Sequence, residues 1–382
     1  MPDTIVFIFS TAAALVAVLV KALLTPRTRV HTNMRSIRRL LSPHDLPIPA
    51  LLRARATPNQ RLVKALGISS TFVSDDPNVH DSFTREAKSL ITGVSANGDG
   101  WSRFVDVVDT CVDRFLNSES LDYATFVQSV TLSVVLTGLL GADVEALDPA
   151  DVAFVTKAIN DRWAQSKANN ALPAEMLDRI NDHITRWVPD RVNPLNLIIP
   201  AYETMWRVAA VAVVYSNRDP LLRDAFISYN ENPTDYQFRA FTNEGAEAQP
   251  SVEAIVNEVL RLYPPTRHIS RSVDVPWWKR PFVPSVEVAG IEEIQKSVLY
   301  GLDPNSFNPM RFHESYSGPR RDHLYAFGYG KLRCIAASWA PSAAAVITAK
   351  IVATLDGVAL TLKEGPRIGK REGWEGWSIE RI

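Results

Sequence analysis

Two cysteines in 382 residues, Cys111 and Cys334, are too few for a disulfide framework. That fits a reducing compartment, where a lone thiol is free, catalytic or a ligand. There is no Cys/His spacing of the zinc-site kind, no P-loop and no Rossmann glycine fingerprint. Net charge is −1, so no global charge argues for nucleic acid as a partner. No internal repeat and no low-complexity tract occurs. What is present is ordinary for a globular chain: 46% hydrophobic and 22% charged residues, with length enough for one large domain and an ample core.

Long apolar runs are also few. Residues 5–24, IVFIFSTAAALVAVLVKALL, form one, and about 20 apolar residues span a bilayer as a helix. Lys21 sits near its end, where it can snorkel. Arg27, Arg29, Arg35, Arg38 and Arg39 follow it, so the positive-inside rule places the body of the protein in the cytoplasm. A cleaved signal peptide is the rival reading, but it wants a basic leader where Asp3 stands. The expectation is a membrane anchor over 1–24, a hinge and linker over 25–58, and one domain over 59–382. The second apolar run, Asn193 to Tyr215, contains Glu203 and Arg207, which argues for a helix buried in the domain.

Apolar residues at three- and four-residue spacing predict helices over 59–68, 79–94, 100–118, 123–141, 148–172 and 173–187. Residues 251–263 form a further helix, stopped by Pro264 and Pro265. HISRSVDV and SVEVAG read as short strands. Residues 335–355 read as helix, and the tail as a terminal hairpin. The fold class expected is mainly α with a minor β lobe.

The stretch YAFGYGKLRCIAASWAP, Tyr325 to Pro341, carries the chemistry. Cys334 stands just before the expected helix, whose free N–H groups and dipole would favour a thiolate. Lys331 and Arg333 add positive charge. Gly328 and Gly330 allow a tight turn, and Phe327 is placed to cover one side of the sulfur. Such a thiolate suits a single axial bond to a haem iron. Taken alone, a cysteine here is more often a buried structural residue.

The spacing Phe327-x-x-Gly330-x-x-x-Cys334 resembles the cysteine loop of the cytochrome P450 family, the haem-thiolate enzymes. Three further motifs follow the family's order: EVLR at Glu258 to Arg261, with its continuation LYPPTRHISR; FNPMRF at Phe307 to Phe312; and PAYETMWR at Pro200 to Arg207. The resemblance implies a cytochrome P450 fold behind one transmembrane helix. It implies haem b as cofactor, held by Cys334 as the axial iron ligand, with Phe327, Gly330, Arg271, His268 and Arg333 around it. Arg271 is implied as a propionate partner, with Arg267 and His268 as nearby candidates. Glu258, Arg261 and Arg311 are implied as a buried structural cluster. Glu203 and Thr204 are implied to deliver protons, the other reading being a helix kink with a back-bonding threonine. Trp101 and Arg103 are two apart and cannot share a helix face. Cys111 reads as core.

The pattern departs from the family in places. Leu332 stands where an arginine is usual, and Pro341 is expected to kink the last long helix. The chain is short where the family's first strands belong, so the β lobe is expected to be incomplete. The function implied is a monooxygenase of the endoplasmic reticulum membrane, resembling fungal enzymes of secondary metabolism. It would oxidise a small lipophilic natural product, with electrons from an NADPH-dependent cytochrome P450 reductase. Arg320, Arg321 and Lys331 offer a basic dock for that partner. Haem-thiolate isomerases, dehydratases and coupling enzymes are a second reading; a non-catalytic, membrane-anchored haem protein is a third.

Overall fold

The structure is a computed structural model. It describes residues 27–382, apart from 96–98, 117–119, 168–171, 243–248, 280–281, 316–323 and 358–359. The expected anchor over 1–24, and Arg320 and Arg321 of the expected dock, lie outside the described residues.

The chain opens with β1 (Thr28–His31), α1 (Met34–Leu41), α2 (Ile48–Asn59) and α3 (Arg61–Leu66). Then come α4 (Pro77–Gly93), α5 (Asp99–Phe115), β2 (Ser120–Asp122), α6 (Tyr123–Val134), α7 (Pro149–Gln165) and α8 (Ala174–Trp187). The long α9 (Leu195–Arg218) precedes α10 (Pro220–Glu231), α11 (Asp235–Arg239) and α12 (Val252–Leu262). The chain closes with β3 (His268–Ser272), β4 (Val286–Gly290), α13 (Ile291–Gln295), α14 (Ala340–Gly357), β5 (Leu360–Lys363) and β6 (Ser378–Arg381).

Local chemistry sets many of these starts. Asp76, Asp122, Asp148 and Ser251 accept first-turn N–H groups of α4, α6, α7 and α12, the ordinary N-cap arrangement. A π-helical turn over Val135–Leu139 prolongs α6. Among the described residues, α9 is the one helix long and apolar enough to cross a membrane, and 72% of its apolar window is buried in the domain. It lies against α14, α6, α10 and α12 at the centre of the main core, as expected from Glu203 and Arg207.

Among the described residues, the β part consists of two three-stranded sheets. In one, β4 is central, parallel to β1 and antiparallel to β3. In the other, β6 lies between β2 and β5, antiparallel to both. The expected hinge over 25–58 differs from what is found. β1 pairs with β4, and Ile37 and Leu41 of α1 are buried with Ala289, Ile291 and Tyr325 in a second core. Apolar burial on that sheet docks the segment to the domain.

The last long helix also starts later than expected. Residues 335–339 are turns, and helix begins at Ala340. Pro341 therefore falls in the first turn, where its missing N–H leaves no bond unmade. It sets the start of α14 instead of kinking it.

Candidate active site

The loop from Tyr325 to Ala340 is closed on itself. The Cys334 N–H donates to Phe327 O at 2.9 Å, Gly328 N–H to Tyr325 O at 2.8 Å, and Arg333 N–H to Gly330 O at 3.0 Å. Gly328 (φ +74°) and Gly330 (φ +73°) both take the left-handed backbone. Gly330 is pressed against α1's end: a Cβ there would lie 2.2 Å from Ser42 Cβ. Phe327 is half-buried at the edge of the main core. The other cysteine, Cys111, is buried in that core, with its thiol pushed up to about 12 by burial.

Cys334 is exposed at its surface yet recessed among protein atoms. Burial pushes its thiol up, against smaller opposing pulls from the Ala336 N–H and the Arg333 charge. The expected stabilisation by a helix start is absent because α14 begins six residues later. A loop N–H and one exposed arginine stand in for it.

The loop rests on β3. The nearest atom to a Cβ at Gly328 would be Ile269 Cδ1, at 3.9 Å. Strand side chains alternate, so Arg271 shares the Ile269 face and His268 the opposite one. Arg271 is buried. Its Nη1 donates to Ser270 O at 2.9 Å, and its Nε has no partner. Burial draws its guanidinium down to about 10. His268 is exposed and meets Glu293 Oε1 at 3.0 Å, while Arg267 meets Glu292 at 3.3 Å. His268 is therefore corrected from a cofactor candidate to a partner of α13, and Arg267 is likewise engaged there. Arg333 is exposed, and its contribution is the charge beside the sulfur.

Sequence reasoning missed Arg55. It lies on α2, which packs on β3, and is buried. Its Nη2 donates to Thr71 O at 2.6 Å and to the Thr71 hydroxyl, and its Nε has no partner. Burial, then the charge of Arg271, lowers it to about 10. The signal was available: Arg55 stands three and four residues after Leu52 and Leu51, on their buried face.

Arg55 and Arg271 thus form a neighbouring pair of buried cations. Among the described residues no carboxylate reaches either. An uncompensated buried charge is costly, and two orphaned Nε–H donors match the two carboxylates of a haem. With an accessible thiol in a loop packed on the same strand, these residues fit a haem. A prediction follows with opposite signs in two states. Arg271→Met should stabilise haem-free protein by about 1 kcal/mol, since a buried unpaired charge is replaced by apolar volume. The same variant should release haem faster, read by transfer to apomyoglobin. Equal melting and equal release would remove Arg271 from the site.

Most positions of α9 are buried, but Ala201, Thr204 and Arg207 are partly exposed and fall on one stripe. Glu203 points elsewhere: it is buried, in ion-pair contact with Arg371, and 3.9 Å from Arg207. Thr204 Oγ1 donates to Pro200 O at 3.2 Å, the back-bonded arrangement. Arg207 Nη1 donates to Pro265 O at 2.8 Å, tying this stripe to the chain entering β3. Trp101 Nε1 donates to Pro233 O at 2.5 Å.

A buried network holds the loop. Arg261 bonds Glu258 through two N–H groups at 2.7 and 2.8 Å, both residues fully buried. Arg311 Nε lies 3.5 Å from Glu258, and the Asn308 N–H donates to it at 2.8 Å. Arg261 also donates to Gln295 O at 2.8 Å. Gln295 then accepts the Tyr325 N–H at 2.8 Å. The tie from cluster to cysteine loop therefore runs through Gln295, which the sequence did not single out. Arg38 completes it from α1, donating to Tyr325 Oη at 2.9 Å.

No family model matches the sequence, and no curated protein does. Solved structures do match. Cyanobacterial CYP120A1 with retinoic acid bound aligns at a TM-score of 0.66 and 14% identity, covering 93% of this chain and 89% of that one. CYP154A1 from Streptomyces coelicolor A3(2) aligns at 0.53 and 18% identity, covering 92% and 91%. Both are bacterial cytochrome P450s. At these identities the likeness speaks for architecture, and with the geometry above it leads to one statement: the chain has the cytochrome P450 fold.

Proposed function

We propose that the protein is a haem-thiolate monooxygenase acting on a small, mainly apolar molecule. One observation carries this reading. An accessible cysteine, in a loop tied to a buried charge network, packs against strand β3, which carries buried Arg271 and meets buried Arg55 of α2, and neither arginine has a counter-ion among the described residues. Cys334 would ligate the haem iron, Phe327 would cover the sulfur side, and Arg271 and Arg55 would hold the propionates. When bound, haem supplies activation of dioxygen and oxidation of a C–H bond, with the thiolate favouring O–O cleavage. Thr204, on the open stripe of α9, holds a hydroxyl proton next to the substrate space. Glu203, implied by resemblance to act with it, lies one residue away and is held by Arg371. Lys331 and Arg333 present positive charge on the loop for an acidic electron donor, assigned to an NADPH-dependent reductase by resemblance. Anchoring of residues 1–24 in the endoplasmic reticulum membrane, and a place in secondary-metabolite synthesis, rest on the sequence alone.

The test is a carbon monoxide difference spectrum of reduced protein beside Cys334→Ala. A strongly red-shifted Soret band that disappears in the variant is the expected result. An unshifted band in the parent, or no haem band in folded protein, would end the reading.

A further inference from the structure

One end of the sheet made by β1, β4 and β3 carries apolar side chains in the open. β1 and β4 start side by side and run parallel, Thr28 opposite Val286, and β3 ends beside them, Ser272 opposite Val286. The connection from β3 to β4 therefore leaves the sheet at the end where the chain from residues 1–26 arrives. Backbone bonds fasten the two together. The Ser285 and Val286 N–H groups donate to Arg27 O at 3.0 and 3.2 Å, and the Val273 N–H donates to Ser285 O at 2.9 Å. Val273, Trp278, Phe282 and Val283 are all exposed in this connection, Trp278 by 56% and Phe282 by 77%. The last three are drawn around one turn: the Phe282 and Val283 N–H groups both donate to Lys279 O at 2.9 Å. Apolar residues scattered singly over a surface need no explanation, but a tip that carries several does. Arg27, Arg29 and Lys279, at its base and on it, are exposed as well.

The sequence says what lies beside this tip. The apolar run over 5–24 ends three residues before Arg27, and three residues span at most about 11 Å. The polar layer of a bilayer is about 5–8 Å thick on each side of its hydrocarbon. A run that spans the bilayer leaves Arg27, and the connection bonded to it, at or just above that layer. Tryptophan, phenylalanine and basic side chains are the set such a layer favours. The rings sit at headgroup level, and the cations meet anionic lipid.

We propose that Trp278, Phe282 and Val283 dock into the headgroup layer of an anionic phospholipid bilayer, as a second membrane contact of the domain. The proposal rests on the reading of residues 1–24 as an anchor. An anchor alone is a tether about which the domain swings. With the tip seated, Arg27, Arg29 and Lys279 face the lipid phosphates, and this end of the sheet is held against the membrane.

The test uses the full chain with vesicles of phosphatidylcholine and phosphatidylserine, plain or brominated high in their acyl chains. Residues 1–26 contain no tryptophan, and among the described tryptophan side chains Trp278 alone is exposed. Bromine therefore reads this tip and not the anchor. Chain that floats with the vesicles should lose fluorescence to bromine. Trp278→Phe should float equally and lose the greater part of that quenching. Flotation without quenching would overturn the proposal and leave the anchor standing. Quenching unchanged in Trp278→Phe would overturn it as well. So would a Trp278 shielded from both bromine and aqueous iodide, because residues 1–24 or a second copy of the chain then cover the tip. A chain that does not float sinks the anchor and this contact together. None of these measurements reads haem, so the monooxygenase reading stands or falls apart from them.

Discussion

Glu258→Ala should destabilise the protein by about 3–5 kcal/mol, the usual result of removing one partner from a buried ion pair. The loss is large because the carboxylate serves three donors at once: two N–H groups of Arg261 and the Asn308 backbone. Arg311 stands close by. Arg261 retains its carbonyl acceptors, but its charge is then buried without an opposite one. Glu258→Gln keeps the shape and one acceptor, and should fall between. Denaturant unfolding gives the ranking. The network also ties down Tyr325 through Gln295, so Glu258→Ala should speed maleimide labelling of Cys334 under native conditions. A loss below about 1 kcal/mol would place the cluster among interactions that barely matter to stability.

Gly330→Ala should cost about 3 kcal/mol, from two separable sources. A side chain at φ +73° carries a left-handed backbone penalty of about 1–2 kcal/mol. Its Cβ must also displace Ser42, and overpacking costs about 1–3 kcal/mol. Adding Ser42→Gly opens the space and leaves the backbone penalty, so the double variant should recover roughly half the loss. No recovery would mean that backbone strain alone governs the position. Full recovery would mean that packing does.

How much of this was legible follows from the kind of signal each feature leaves. The long helices were readable because their apolar residues repeat at helical spacing, and Glu203 and Arg207 marked α9 as interior. β1 left no such trace. Thr28, Arg29 and Val30 are exposed, so its strand character comes from a partner far along the chain, Val286 to Ala289. The start of α14 was readable from Pro341 but was overridden by the alanine-rich run before it. His268 could have been set aside by parity with Arg271 on the same strand. Arg55 was an arginine on an apolar helix face, a signal present but unused. Gln295 and Arg371 were not readable. Each acts through a partner that only the fold brings near: Tyr325 for one, Glu203 for the other.

The contact between Glu203 and Arg371 has a consequence for synthesis. The two residues are separated by roughly 170 positions, which a ribosome takes about ten to thirty seconds to add. During that interval α9 can be made but cannot be finished, because its interior carboxylate awaits its main counter-charge. The same wait applies to β2, whose neighbour β6 is made later still. The nascent chain therefore holds its central helix and one sheet open until late in translation. That is the window in which chaperones would be most needed.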